Sequence, residues 1–224
     1  MTADILVGVL LNAARSADHV KKFRDDSHVE VSGFQSDCFN PVEAFSEASQ
    51  SFKPSLMKAV ANFATPTPVQ AQCWPVLLSG RDVVGIAATG SGKTIAFALP
   101  GLMYVMACKA ETGNQRPAKR QRGSNGGRVR CCYPHMLVVA PTRELAIQSS
   151  RVAASAGEPA DVSSVVVYGG QPKYHQTQQL LANGGADVVV ATPGRLLDLM
   201  NDGVINLVRA LLRQQMKATR QHLC

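Results

Sequence analysis

The chain has 224 residues, 46% of them apolar and 17% charged, the balance of an ordinary folded soluble protein and not that of a disordered or collagen-like one. A formal net charge of +7 suits a polyanionic partner, because clustered Lys and Arg gain affinity by releasing counterions from phosphates, but charge alone does not choose among RNA, DNA and anionic lipid. Six cysteines include no CxxC pair and no regular spacing, so neither a zinc ribbon nor a disulfide framework is indicated, and reduced thiols in an intracellular compartment are the expectation.

In chain order, the apolar run ILVGVLL at 5–11 is too short to span a bilayer, and Asp4 before it is unlike the basic start of a signal peptide. It is expected to form the packed face of a short helix. Val/Ile-rich, non-alternating runs at 82–88, 136–140, 163–168 and 186–191 predict strands covered on both faces. Helical patterns follow at 92–106, 143–153 and 193–200. Between Cys108 and Cys132 the sequence CKAETGNQRPAKRQRGSNGGRVRCC carries seven Lys/Arg against one Glu; rich in Gly, Asn and Pro, it predicts a loop. That loop is either a solvated insertion or a nuclear-import or RNA-contacting patch centred on AKRQR. Cys108, Cys131, Cys132 and His135 form a loose metal-capable set, but thiols of this kind are more often small buried hydrophobes. From Gly203 onward, Val204, Leu207, Val208, Leu211, Leu212 and Met216 share one helical face, with Arg209, Arg213, Lys217 and Arg220 towards the other, so a basic amphipathic terminal helix is expected. Strands alternating with helices imply an α/β fold with a mostly parallel sheet, whose ligands sit at the carboxyl ends of the strands.

AATGSGKT, residues 87–94, lies at such an end. Gly90 and Gly92 let backbone N–H groups close around a phosphate, and the helix that follows points its positive end at the same anion. Lys93 would reach the β and γ phosphates, and the Thr94 hydroxyl would ligate magnesium. Strand, glycine turn, Lys-Thr and helix in register point to a nucleoside triphosphate. The generic P-loop has Gly where this chain has Ala87, which narrows the class.

With PTPVQAQCWPVLLSGRDVVGI before it, this motif closely resembles the DEAD-box family of ATP-dependent RNA helicases. NFATPTPVQ at 62–70, including Thr67 and Gln70, is similar to the family's Q motif, with Asn62 in place of the usual glycine. Phe45 stands 25 residues before Gln70, where the family keeps an isolated aromatic. The resemblance implies adenine stacking by Phe45, an amide contact to the adenine edge by Gln70, and phosphate binding by Ala87, Ala88, Thr89, Gly90, Ser91, Gly92, Lys93 and Thr94. PTRELA at 141–146, Gly169-Gly170 and TPGR at 192–195 match the family's RNA-contacting motifs in order. The implied RNA contacts are Pro141, Thr142, Arg143, Glu144, Gly169, Gly170, Thr192, Pro193, Gly194 and Arg195. Similarity runs from about Val20 to Leu207, its lead-in resembling a nuclear and nucleolar subgroup, so residence in the nucleus or nucleolus is expected.

After TPGRLLDLMNDGVINL, family members continue into a hydrophobic strand ending in D-E-A-D, whereas this chain turns into VRALLRQQMKATRQHLC and contains no Asp-Glu dipeptide. The absent carboxylates would hold magnesium and position the attacking water. The S-A-T motif is missing as well, and so is a second RecA-like domain. The expectation is therefore an incomplete RecA-like P-loop domain at 45–207, after an extension at 1–44 and before a divergent basic tail at 208–224. Truncation, frameshift or alternative splicing would each produce such an end. This chain is expected to bind ATP with Mg2+ and RNA, to involve no membrane and to hydrolyse ATP hardly at all. The absent acidic strand should leave the P-loop strand with unpaired backbone groups and make the chain marginally stable. A non-catalytic RNA- or protein-binding module is the alternative; a small-molecule kinase would leave the Q motif and TPGR without a role.

Overall fold

The computed structural model describes residues 15–33, 35–112, 118–122, 128–210 and 212–215. The apolar run at 5–11, and Leu211, Met216, Lys217 and Arg220 of the expected terminal helix, lie outside these. The chain folds as two compact units, one within Met1–Met103 and one within Tyr104–Ala218, a division that falls inside the span expected to be one domain.

The first unit opens with α1 (Ala17–Asp26), capped by Ser16, whose Oγ accepts from the His19 amide at 3.2 Å. Arg24 on α1 donates through Nε to Gln72 Oε1 (3.1 Å) and through Nη2 to the Phe39 carbonyl (3.2 Å), which Gln72 Nε2 also reaches (2.9 Å). Arg15 pairs with Glu43 at 3.0 Å and Glu47 at 2.6 Å. These charge-assisted bonds hold the lead-in against α2 (Phe45–Ala48) and α4 (Pro68–Leu78), between which lies the short α3 (Pro54–Met57) in sequence. Pro68 at the first position of α4 fits because that N–H has no intrahelical partner. Trp74 on α4 is completely buried, with the Phe52 ring edge-on at 5.3 Å. The 19-residue α5 (Lys93–Glu111) starts in this unit and ends in the next.

Residues 82–88 were expected to form a strand, and they do not. They join no helix or strand and have no ladder partner among the described residues, and Val84 and Ile86 are 86% and 75% exposed. Their other side rests on α4, where a Cβ on Gly85 would lie 3.8 Å from Cys73 Sγ and 3.9 Å from the Val69 side chain. Strand propensity needs a neighbouring backbone to be realised, and none is supplied among the described residues. That matches the expectation of unpaired backbone at this run.

The second unit contains a four-stranded parallel sheet in the order β4-β5-β3-β6. Before it comes an antiparallel hairpin, β1 (Ala118–Arg122) and β2 (Arg128–Cys132), where a loop was expected. The sheet is built from β3 (Met136–Val139), followed by α6 (Arg143–Gly157), then β4 (Ser164–Val167) and α7 (Lys173–Leu181). Next come β5 (Val188–Ala191), α8 (Pro193–Asn201) and β6 (Leu212–Gln215). Register pairs Met136 with Val188 and Val139 with Ala191, so the chain leaves β3 and β5 side by side. Leu137, Val167, Leu180, Val189, Leu196 and Leu199 form one buried cluster, each Val or Leu worth roughly 1.5–3 kcal/mol of burial.

The tail is the second correction. No helix forms over 203–215 among the described residues; Ile205 bridges Cys132 in parallel, and β6 adds to the open edge of β3, Met136 facing Leu212 and Val139 facing Gln215. The apolar face at 204–212 reads as helical, but the otherwise open edge of β3 offers ladder bonds that a docked helix cannot make. Val208, placed on the expected buried face, is 78% exposed.

At the amino ends of the strands a buried carboxylate ties the sheet together. Asp187 Oδ2 accepts from the Ser163 amide (2.9 Å) and hydroxyl (3.0 Å) and pairs with Lys109 Nζ (3.3 Å), while Oδ1 lies 3.7 Å from His135 Nδ1. Burial alone would push the Asp187 carboxyl up, yet His135, Ser163 and Lys109 together outweigh it and hold the group below its ordinary value. Cys131 and Cys132 are fully buried, and burial pushes the Cys132 thiol up to about 12, which makes it an inert small hydrophobe.

Candidate functional site

In the first unit, the turn before α5 has the geometry of an anion cradle. Gly90 and Gly92 take φ of 79° and 87°, a left-handed conformation that glycine adopts without steric penalty. Gly92 is also needed for space, since a Cβ there would stand 2.4 Å from Gln70 Nε2 and 3.0 Å from Thr67 Oγ1. Gln70 is buried and bridges two segments: its Oε1 accepts from the Thr67 amide (3.1 Å) and its Nε2 donates to the Gly92 carbonyl (3.2 Å). The expected adenine reader is thus bonded to the loop that would hold the phosphates, with both amide atoms engaged within the protein.

Phe45 is half-buried, its ring 6.3 Å from Trp74. Trp74 lies one helical turn beyond Gln70 on α4, so the aromatic and the amide are held by the same helix. Lys93 Nζ donates to the carbonyls of Ala87 and Ala88, 2.5 Å each, which folds the ammonium back over its own loop. Thr89 is exposed and Thr94, the second residue of α5, is half-buried. Ser91 Oγ is buried without a partner among the described residues. An orphaned hydroxyl, glycine-only turns and a 19-residue helix dipole behind them suit a phosphate, and Lys93 and Thr94 are the residues that would meet it and its magnesium.

The second unit gathers the other motifs at the carboxyl ends of its strands. Thr142 caps α6, Oγ1 accepting from the Leu145 amide at 3.3 Å, and Pro141, Thr142, Arg143 and Glu144 are exposed. The Arg143 guanidinium lies 4.8 Å from the Tyr168 ring centroid. Ala140 donates to the Ala191 carbonyl (2.9 Å) and Thr192 to that of Val167 (3.0 Å), which fixes the three loops to one another. Gly169 and Gly170 are exposed; Gly170, at φ 82°, has open space around its Cα, so its need for glycine is conformational. Pro193 and Gly194 are exposed at the start of α8, beside half-buried Thr192.

Arg195 differs from expectation. Its side chain is 10% exposed and spends its donors inside the protein, Nη1 on Gln176 Oε1 (2.9 Å) and Nη2 on the Gln171 carbonyl (3.0 Å). Gln176 in turn accepts from the Tyr168 amide (3.2 Å) and donates to the Tyr168 carbonyl (3.0 Å). One glutamine therefore ties the loop after β4 to the helix after β5. Tyr168, Gln171 and Gln176 were not foreseen from sequence; Tyr168, directly before the glycine pair, carried the only local signal.

A parallel α/β sheet with glycine, hydroxyl and arginine loops at its carboxyl ends, preceded by a P-loop helix, defines a P-loop-type α/β protein. The chain belongs to the DEAD/DEAH box helicase family, which matches residues 67–218 and so extends past Leu207 through β6. It is 41% identical over 198 residues to the ATP-dependent RNA helicase DBP2 of Chaetomium thermophilum, covering 88% of this chain and 32% of that protein. It is 45% identical over 166 residues to dbp3 of Schizosaccharomyces pombe, covering 74% and 25%. The chain thus spans about a third or less of the length of these relatives. Among solved structures it resembles the RNA helicase Prp28 from Chaetomium thermophilum bound to ADP, with TM-score 0.70, 28% identity, and coverage of 92% of this chain and 45% of that one. Yeast Prp28, at TM-score 0.72 and 22% identity over 90% and 44%, shares the fold.

Proposed function

We propose that this chain is the ATP- and RNA-binding N-terminal portion of a DEAD-box ATP-dependent RNA helicase, and that by itself it binds nucleotide weakly and hydrolyses almost none. The observation that carries this is the Gln70 bridge, which joins the Q-motif turn to the P-loop, supported by Phe45 of α2 lying against Trp74, one turn along α4 from Gln70. Phe45, Thr67 and Gln70 hold the base; residues 87–94 hold the phosphates, with Lys93 on their charge and Thr94 on Mg2+. ATP bound there is the energy source for the whole protein's local strand separation or remodelling of RNA–protein complexes. RNA lies across the loops after β3, β4 and β5. Pro141, Thr142, Arg143, Glu144, Gly169, Gly170, Thr192, Pro193 and Gly194 meet its backbone, and Arg195, already bonded to Gln176, positions them.

The non-hydrolytic part is supported by β6. The strand after α8, which the family resemblance implies should end in D-E-A-D, reads LRQQ and carries no carboxylate to hold magnesium or a water. Residence in the nucleus or nucleolus is proposed from the AKRQR segment and from the resemblance of the lead-in to a nuclear and nucleolar subgroup. A fluorescent ATP analogue should bind the purified chain only with magnesium, and Lys93→Ala should lower its affinity about tenfold or more. Binding indifferent to both would overturn the nucleotide assignment. RNA-stimulated phosphate release that vanishes in Lys93→Ala would overturn the hydrolytic one.

A further inference from the structure

Residues 169–175, from the glycine pair to the first turn of α7, are exposed throughout. Among them is Tyr174, one of four tyrosines that are the only Phe, Tyr or Trp residues of the second unit. Tyr104 is buried, Tyr133 and Tyr168 are half-buried, and Tyr174 is 67% exposed. A tyrosine ordinarily gains by covering its ring and bonding its hydroxyl. Here the hydroxyl is engaged, accepting from Gln178 Nε2 at 2.6 Å, and most of the ring is left to solvent.

The ring is open but held. Gln178 lies one turn further along α7, and the His175 ring stands beside that of Tyr174 at 5.8 Å between centroids and 67° between planes. The helix itself is fixed at its start: Lys173 Nζ pairs with Asp202 Oδ2 at 2.5 Å, and the buried Gln176 bonds Tyr168 and Arg195. Tyr174 is therefore an uncovered ring at a set position, four residues past Gly170, on the helix tied to the loop after β4. Gln171, Lys173, His175 and Gln178 around it in sequence are exposed and polar, unlike the contiguous apolar patch that a protein partner covers. The nearby Tyr168 ring is already occupied, with the Arg143 guanidinium 4.8 Å from its centroid.

We infer that Tyr174 is a base-stacking platform, on which one unpaired base of an RNA strand lies while the backbone of that strand runs over the loops after β3, β4 and β5. A nucleobase presents a flat π-face that complements an open aromatic ring, and single-stranded RNA is commonly held by such stacking beside a cationic backbone track. The ring needs no ordering on binding, because Gln178 and His175 already set its place. Every base has a π-face, so the contact is tolerant of sequence, but in a duplex those faces are covered by the neighbouring pairs. This rests on the RNA-binding role proposed above and adds the class of substrate: a strand with at least one base out of duplex at Tyr174. None of the residues assigned there to the RNA backbone supplies it.

The test compares binding of two fluorescent strands to the full chain across a salt series: an oligo-U and an abasic strand with the same sugar–phosphate backbone. Tyr174→Ala should weaken oligo-U binding about tenfold, leave the abasic strand unaffected and keep the log–log salt slope, since no phosphate contact is lost. Tyr174→Phe, which retains the ring, should bind oligo-U like the unmodified chain. Equal affinity of the unmodified chain for the two strands would overturn the inference without any variant, so a folding defect cannot rescue or mimic it. Full oligo-U affinity in Tyr174→Ala, as a ring serving a protein contact would give, or equal loss on both strands, would overturn it too. Arg143→Gln separates the two ideas, since it should weaken both strands and reduce the salt slope by about 0.7. Loss there with none in Tyr174→Ala leaves the proposed function standing and removes the platform, and binding of neither strand by the unmodified chain removes both.

Discussion

The P-loop in the first unit and the loops after β3, β4 and β5 in the second are built from the same materials, yet they stand on different supports. The second-unit loops leave strands whose backbones are bonded to neighbours, and Gln176 and Arg195 lock two of them together. The P-loop leaves a run with no ladder partner among the described residues, and its own stabilisation comes from Gln70 and from Lys93 folded onto Ala87 and Ala88. A binding loop inherits its rigidity from the strand behind it, so the two regions should fail under different mutations.

The largest effect is expected at the amino ends of the sheet. Asp187→Asn removes the carboxylate that Lys109 and His135 share, leaving Lys109 with only the exposed Asp161, and should lower the stability of the second unit by about 3 kcal/mol in urea melts. Because the folded carboxyl lies below its unfolded value, its contribution is present above the ordinary carboxylate range and is lost as pH falls through the folded value. The Asn variant should therefore show a flatter acid limb; an identical limb would remove Asp187 from the account. Gln176→Ala leaves Arg195 and the Tyr168 backbone underbonded, about 2 kcal/mol, with weaker RNA binding as the second readout. If RNA affinity were untouched by that loss, the locked loops would not be the binding surface.

Gly92→Ala should act on the other side of the comparison. Positive φ and the clash with Gln70 Nε2 should cost about 1–2 kcal/mol locally and lower affinity for an ATP analogue, with RNA binding unaltered. The smallest effect is expected at Val84 and Ile86. Lys at both should change stability by less than about 0.5 kcal/mol, since neither side chain is buried, but should reduce aggregation measured by light scattering. A large loss of stability would mean that the run at 82–88 is paired after all, and the contrast between the two regions would disappear.

The same contrast explains what could be foretold from the amino acids. The runs MLVV, SVVV and VVVA announce themselves as buried strands and form them, but DVVGI has the same character and finds no partner among the described residues, because the partner backbone is not encoded locally. The tail's apolar spacing is helical, and the open edge of β3 overrides it. The hairpin was hidden because its strands lack apolar alternation and set like charges opposite each other. In the site, glycines, Lys93, Thr94 and Arg143 are legible because their chemistry depends on residue type at fixed spacing. Gln176 is not, since a glutamine within a helix declares nothing until a loop and an arginine from elsewhere arrive at its amide.

The hairpin's two ends meet at Ala118 and Cys132, which face each other in the ladder. Everything between them leaves and re-enters the fold at adjacent points, and each doubling of such a segment adds only about 0.6 kcal/mol of closure entropy. The arm can therefore lengthen, shorten or change its charge with the parallel sheet left as it is, which makes it the part of this molecule where evolution, or an engineer, could graft new affinity at least risk to the fold.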